Sequence, residues 1–391
     1  MAAVYLATIF GDAMKNKPAP EEKPSKTLPE IVITESGDLT VQVFHQTDNS
    51  DRYISATGYN VAGKLLAIFK VSRQVLMGSS AHFQAMLDPH GNFTEAKQKT
   101  VDLENENPNA VEIWFRYFHK NVDESYQIPI NEIRAVIECH RRYLFPLEKL
   151  NAWFGEYMKR NGGEKFDKFS IEELRQLLFP CQEFDHAEGF AYATKKLVYE
   201  TPGHIHEDLP SSFSHLHLEP RIITSINAAR GSLKMKIHEA VYINKEFISA
   251  SCACRKDGLY AYETALDETG DVIDGLGRFH YEPPNDTCKL CSSKLGLSAV
   301  ARAIDIAQTN FDGLCLDCID NPRRRDWDFE YFRHHSHGHG LKFKIKSQWD
   351  SGCRVDHDEP SWYFSWLARK QRADAFELER EKRKRKASDM E

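Results

Sequence analysis

The chain has 391 residues, of which 41% are hydrophobic and 28% charged, and it carries a formal net charge of −7. That length exceeds one compact core and predicts two or three domains, while the composition excludes an intrinsically disordered chain. The acidic balance excludes a protein that grips nucleic acid over its whole surface, and no apolar run approaches the roughly 20 residues that span a bilayer.

The opening stretch from Met1 to Phe10 is apolar, but no cationic segment precedes it and no small-residue cleavage pattern follows, so it does not read as an export signal. Proline and charge dominate residues 15–29, and residues 1–29 read as a flexible leader. From Asp38 to His45 apolar and polar residues alternate as in a strand buried on one face, and Leu65–Val71 is a second β-compatible run. Val75, Leu76, Phe83, Met86 and Leu87 then mark a helical stripe, and Thr100–Leu103 a short strand. Asn107-Pro108 is a helix start with proline at the first helical position, followed by Val111, Trp114, Phe115 and Phe118 at helical spacing.

Further stripes run through Ile133, Val136 and Ile137, and through Leu147, Leu150, Trp153, Phe154, Tyr157 and Met158, ending at Asn161-Gly-Gly163. Ser170-Ile-Glu-Glu173 is a capping box flanked by a Phe169–Leu174 hydrophobic staple. Helices are expected near 184–199 and 220–243, joined by a histidine-bearing connector over 202–219. Cys139 and Cys181 stand alone in apolar helical surroundings and read as core thiols.

Strand, strand, paired helices, strand and then three helices is an α+β order. The segment Phe69-Lys-Val-Ser-Arg-Gln-Val-Leu-Met-Gly-Ser-Ser-Ala-His-Phe-Gln-Ala-Met-Leu87 resembles the BTB/POZ signature. Phe93-Thr-Glu95, Val101-Asp-Leu103 and the Pro108–Phe118 run match that family's next strand and helix in order, with Ser72 standing at the family's usual histidine. The resemblance implies a BTB/POZ-like domain over 30–162, pairing into a homodimer through its N-terminal region, and adaptor work on a cullin-type ubiquitin ligase scaffold. A helical extension is expected over 163–249, a cysteine-rich module over 250–368 and a basic tail over 369–391.

Seven of the nine cysteines lie between positions 252 and 353, and in a reducing compartment such clustering favours metal over disulfides. Cys288-Lys-Leu-Cys291 and Cys315-Leu-Asp-Cys318 are two Cys-x-x-Cys doublets separated by 23 residues, and two such knuckles complete a closed tetrahedral thiolate set. Structural zinc is the expected ion, although iron takes similar ligands. Cys252-Ala-Cys254 upstream and Cys353-Arg-Val-Asp-His357 downstream form a second set, for another ion or for a crossed arrangement with the first. His334, His335, His337 and His339 read as a solvated tract. Trp362, Phe364 and Trp366 alternate as on one strand face. The stretches Phe311–Cys318, Trp349–Cys353 and Pro360–Trp366 are similar to the cysteine-rich tail of uncharacterised fungal BTB-domain proteins, a group that supplies no activity.

Lys382, Arg383, Lys384, Arg385 and Lys386 are five consecutive cations that suit a nuclear-import receptor, placing the protein in the nucleus or the cytoplasm. The sequence carries no nucleophile elbow, phosphate loop, dinucleotide glycine fingerprint or His-Glu-x-x-His helix, and a four-thiolate zinc leaves no open position for water. The expectation is therefore a non-catalytic protein-binding adaptor, with no membrane contact. The alternative is a nuclear transcription-related regulator that touches nucleic acid through the zinc module and basic tail; overall acidity ranks it second.

Overall fold

A computed structural model describes residues 28–45, 52–55, 58, 60–122, 125–241, 248–269, 282, 284–289, 301, 303, 311–320 and 353–355. Six strands are described: β1 (Glu30–Val32), β2 (Leu39–His45), β3 (Arg52–Ile54), β4 (Asn60–Ala62), β5 (Lys64–Val71) and β6 (Thr100–Glu104). Four of them form one sheet in the order β1-β5-β2-β6, and β3 and β4 form a separate hairpin. Period-2 patterning sets the register: Val41 lies opposite both Phe69 of β5 and Val101 of β6, and all three are fully buried. A register shift between Val43 and Phe44 turns two consecutive side chains inward, so both are buried at the end of the strand.

The paired helices expected after the second strand are α1 (Arg73–Ser79) and α2 (Ala81–Leu87), which share the apolar stripe over 75–87. Ser80 interrupts them in an extended conformation, its hydroxyl accepting from the Phe83 N–H at 3.2 Å and donating to the Tyr143 carbonyl. β6 then returns parallel to β2. Next come α3 (Pro108–Phe118), capped by the Asn107 side chain on the Ala110 N–H at 3.0 Å, then α4 (Ile133–Tyr143) and α5 (Asn151–Gly162). Gly163 stops α5 with φ 78°, a conformation glycine adopts without strain.

The capping box is present: Ser170 accepts from the Glu173 N–H at 3.2 Å, and Glu173 accepts from the Ser170 N–H at 2.8 Å. It starts α6 (Ile171–Glu183), which is followed by α7 (Ala187–Glu200) and α8 (Pro220–Val241). Two further helices are described, α9 (Arg255–Thr269) and α10 (Leu316–Asp320).

The large aromatics expected in the core are there. Trp114, Phe115, Phe154 and Tyr157 are essentially inaccessible, and Trp153 nearly so. Their polar tips are paired, Trp114 Nε1 donating to the Val136 carbonyl at 2.9 Å and Trp153 Nε1 to Ser125 Oγ at 2.8 Å. Arg134 also enters the core, where its guanidinium lies 4.6 Å from the Phe179 ring centroid. There it donates to Glu207 at 3.2 Å, to the Asp208 carbonyl at 3.3 Å and to the Leu216 carbonyl, holding the 202–219 connector against the helices. Glu106 is a second buried charge, accepting from Tyr143 Oη at 2.8 Å and Arg142 Nη1 at 2.5 Å, with the Cys139 thiol 3.5 Å away.

One hydrophobic cluster runs from Ile33 in the sheet to Val241 at the end of α8 and takes in Phe311, Leu314, Cys315, Leu316 and Ile319. A smaller cluster surrounds Tyr262 and Ala265 of α9. Among the described residues, no helix is long and apolar enough to cross a membrane.

Candidate metal centres

Two groups of side chains stand close enough to hold a metal ion: Cys252, Cys254 and Cys288 in one, Cys315, Asp317 and Cys353 in the other. Within each group the candidate ligand atoms all lie within 4.8 Å of one another. Sulfurs sharing a tetrahedral ion at the usual Zn–S length stand about 3.8 Å apart, so the first group needs only a small contraction to close on one.

The first group is built at the start of α9. Arg255 folds the preceding loop back by donating from Nη1 to the carbonyls of Ala250 at 2.8 Å and Ile248 at 3.3 Å. The Cys254 carbonyl accepts from the Gly258 N–H at 3.0 Å, placing Cys254 at the helix N-terminus. On the other side a turn is closed by the Thr287 hydroxyl on the Pro284 carbonyl at 2.9 Å. That turn presents Cys288, whose own N–H points at Cys254 Sγ from 3.3 Å. An amide aimed at sulfur is the outer-shell contact that steadies a metal-bound thiolate. Tyr262, fully buried, donates to the Val241 carbonyl at 2.7 Å and so fixes α9 to the end of α8. Three sulfurs with an amide donor suit a soft or borderline cation such as zinc.

The second group is built against α7. The chain from Phe311 to Leu314 lies along that helix: the Leu314 N–H donates to Thr194 Oγ1 at 2.8 Å, the Phe311 N–H to Tyr199 Oη at 3.1 Å, and Lys195 reaches Asp312 at 3.4 Å. Gly313, at φ 95°, is pressed so closely on α7 that a Cβ there would stand 2.0 Å from the Ala191 carbonyl oxygen. Cys315 follows, buried, at the N-terminus of α10, its carbonyl accepting from the Ile319 N–H at 3.1 Å.

Cys353 is half-buried against the main cluster, and Arg354 beside it forks between two carboxylates. Its Nη2 lies 2.7 Å from Asp317 and 2.9 Å from Asp185, and its backbone N–H is 2.7 Å from Asp317. Hydrogen bonds donated to Asp185 and then to Asp317 hold the guanidinium charged more firmly than usual. Since Arg354 uses both oxygens of Asp317, the carboxylate acts mainly as an anchor beside the two sulfurs.

Of the four sulfurs expected from the doublets, Cys288 and Cys315 are described with their side chains, and they stand in different groups. Cys291 and the Cys318 side chain lie outside the described residues. Of the second expected set, Cys252 and Cys254 stand together, Cys353 joins Cys315, and His357 lies outside the described residues. The His334–His339 tract, Trp362, Phe364, Trp366 and the Lys382–Lys386 run also lie outside them. Cys139 and Cys181 are fully buried core thiols, and burial raises the pKa of each, keeping it protonated and inert. The seven described cysteines carry no disulfide.

What sequence reasoning missed is Arg354 and Asp185, whose pairing spans 169 residues; the Arg-Val-Asp stretch after Cys353 gave no pattern to find it by. A scan against protein-family models returned no match for this chain, and a search of curated proteins returned none either.

Proposed function

We propose that the chain is a non-catalytic interaction protein, with a BTB/POZ-type pairing module in front and a zinc-stabilised rear that presents a partner, in the manner of an adaptor. The observation that carries this is the sheet order β1-β5-β2-β6, in which β5 pairs antiparallel with β2 and β6 returns parallel to β2 across the α1–α2 pair. That order, beside the quoted motifs, is what supports the reading.

The α1 surface is open. Asp38, Arg73, Gln74, Met77, Gly78 and Gln84 line a shallow depression, and the short edge strand β1 leaves Val32 40% exposed. Partly apolar, shallow surface beside an edge strand suits a flat protein partner better than a small substrate. A second copy of the chain is the partner that this reading names, with a cullin-type scaffold as the further recruit. The reduced cysteines fit a nuclear or cytoplasmic setting.

Sedimentation of the full-length, zinc-loaded chain across micromolar concentrations tests the reading. The expected result is a concentration-dependent dimer that Met77→Asp converts to monomer while the folded signal is kept. A monomer at every concentration would overturn pairing through this surface.

A further inference from the structure

We propose that the chain binds two thiophilic divalent cations at independent sites, one on Cys252, Cys254 and Cys288, the other on Cys315 and Cys353 beside Asp317, and that the second ion fastens the rear of the chain to the turn between α6 and α7. This rests on the metal-stabilised reading of the rear segment and divides it. No sulfur is shared between the two groups.

They also belong to different cores. Cys252, Cys254 and Cys288 pack on the Tyr262 cluster, whereas Cys315 is inside the main cluster and Cys353 packs against it. Among the described residues the Tyr262 cluster has two fully or nearly buried apolar residues at its centre, little apolar area to hold a loop, a helix and a turn together. There the ion supplies what burial cannot, and protons leave the thiols as it binds.

The second site has a different task. Phe311, Leu314, Leu316 and Ile319 supply the apolar part of the docking of the 311–320 segment, and an ion on Cys315 adds a further tie. The 353–355 segment reaches the body through Cys353, which packs on the main cluster, and through the Arg354 fork. An ion bridging Cys315 to Cys353 sets Arg354 between Asp317, two residues beyond Cys315, and Asp185 at the start of α7. Three segments far apart in sequence then meet at one point. The cation offsets the charge of two thiolates, and Arg354 offsets one of the two carboxylate charges, leaving the other on Asp185 and Asp317, which both still reach solvent.

The test counts zinc per chain in the purified full-length protein reconstituted with zinc under reducing conditions, with hydrogen exchange read on the same samples. The wild type is expected to hold two ions, Cys288→Ser one, Cys353→Ser one, and the double variant none. Loss of the second ion should speed exchange at the Leu314 and Phe311 amides and leave α9 protected; loss of the first should do the reverse. Arg354→Gln touches no sulfur and should keep two ions while loosening the 311–320 amides, which separates the fastening from metal loading. One ion that disappears in both single variants would overturn the two-site division and leave the metal-stabilised reading intact. A wild type with no bound zinc would overturn both.

Discussion

Gly313→Ala isolates the docking of the 311–320 segment. Its φ of 95° is a conformation that alanine resists, by at least about 1–2 kcal/mol even in open space. Space is not open here, since the added Cβ would lie 2.0 Å from the Ala191 oxygen and 2.7 Å from its carbonyl carbon. Those atoms belong to a hydrogen-bonded helix and cannot step aside, so the segment must lift. What opposes lifting is the burial of Phe311, Leu314, Leu316 and Ile319, about 6–12 kcal/mol at the usual value per side chain. What favours it is the backbone freedom that the released residues regain. About 2 kcal/mol of strain shifts the docking equilibrium by roughly 30-fold.

Hydrogen exchange at Leu314, whose N–H donates to Thr194, reads this directly. The expected outcome is a protection loss of that order at Leu314, with the α4 amides unchanged. Gly203→Ala is the control, because Gly203 has φ 78° but nothing within 4 Å of the new methyl. Unchanged Leu314 exchange in a folded Gly313→Ala variant would refute the docking argument.

Ser170→Ala removes the cap oxygen of α6 and is expected to cost about 1 kcal/mol in urea unfolding, with unchanged m-value. Gly231, inside α8 with nothing within 4 Å of an added methyl, should gain about 0.5–1 kcal/mol on replacement by alanine; a lowered midpoint would contradict the placement. Glu106→Leu leaves the Tyr143 hydroxyl buried without its acceptor and is expected to destabilise by about 3 kcal/mol in the same assay.

Acid sensitivity should centre on two histidines. His119 Nε2 accepts from the Ser72 N–H at 3.0 Å and His186 Nδ1 from the Gly189 N–H at 3.0 Å, so both must be neutral, and burial lowers the pKa of each. A lowered folded pKa means that their contribution is complete above the unfolded value near 6.5 and is lost as pH falls through it, at up to about 1.4 kcal/mol per unit for each group. The urea midpoint should fall from about pH 7.5 to about pH 5, less steeply in His186→Asn; a flat profile would exclude the neutral-acceptor assignment.

The framework of the front half was legible because its signals are local. Alternation in Asp38–His45, the Asn107-Pro108 start and the Ser170–Glu173 box each report on neighbours within a few residues, and the structure carries all three. β1 escaped notice because Glu30–Val32 is too short to show a period. α9 did so because Gly258 is a weak helix former inside it and Tyr262 is one of few described side chains that it buries. The cysteines pose a different problem. A Cys-x-x-Cys doublet says that two sulfurs can share an ion, but not which distant residues complete the shell. That choice is made by tertiary contacts such as Tyr262 on Val241 and Arg354 on Asp185, which leave no mark on spacing.

The Arg354 fork also sets a timetable. Asp185 and Arg354 are 169 residues apart, so at roughly 5–20 residues per second of synthesis the α6–α7 turn emerges about 8–34 s before the arginine that will clamp it. Leu314 follows Thr194 by 120 residues, so for about 6–24 s the flank of α7, with the Thr194 hydroxyl and the Ala191 carbonyl uncovered, is an open berth. A nascent chain in this state offers chaperones, or a neighbouring copy on the same message, a seat that the finished molecule fills with its own Phe311–Leu314.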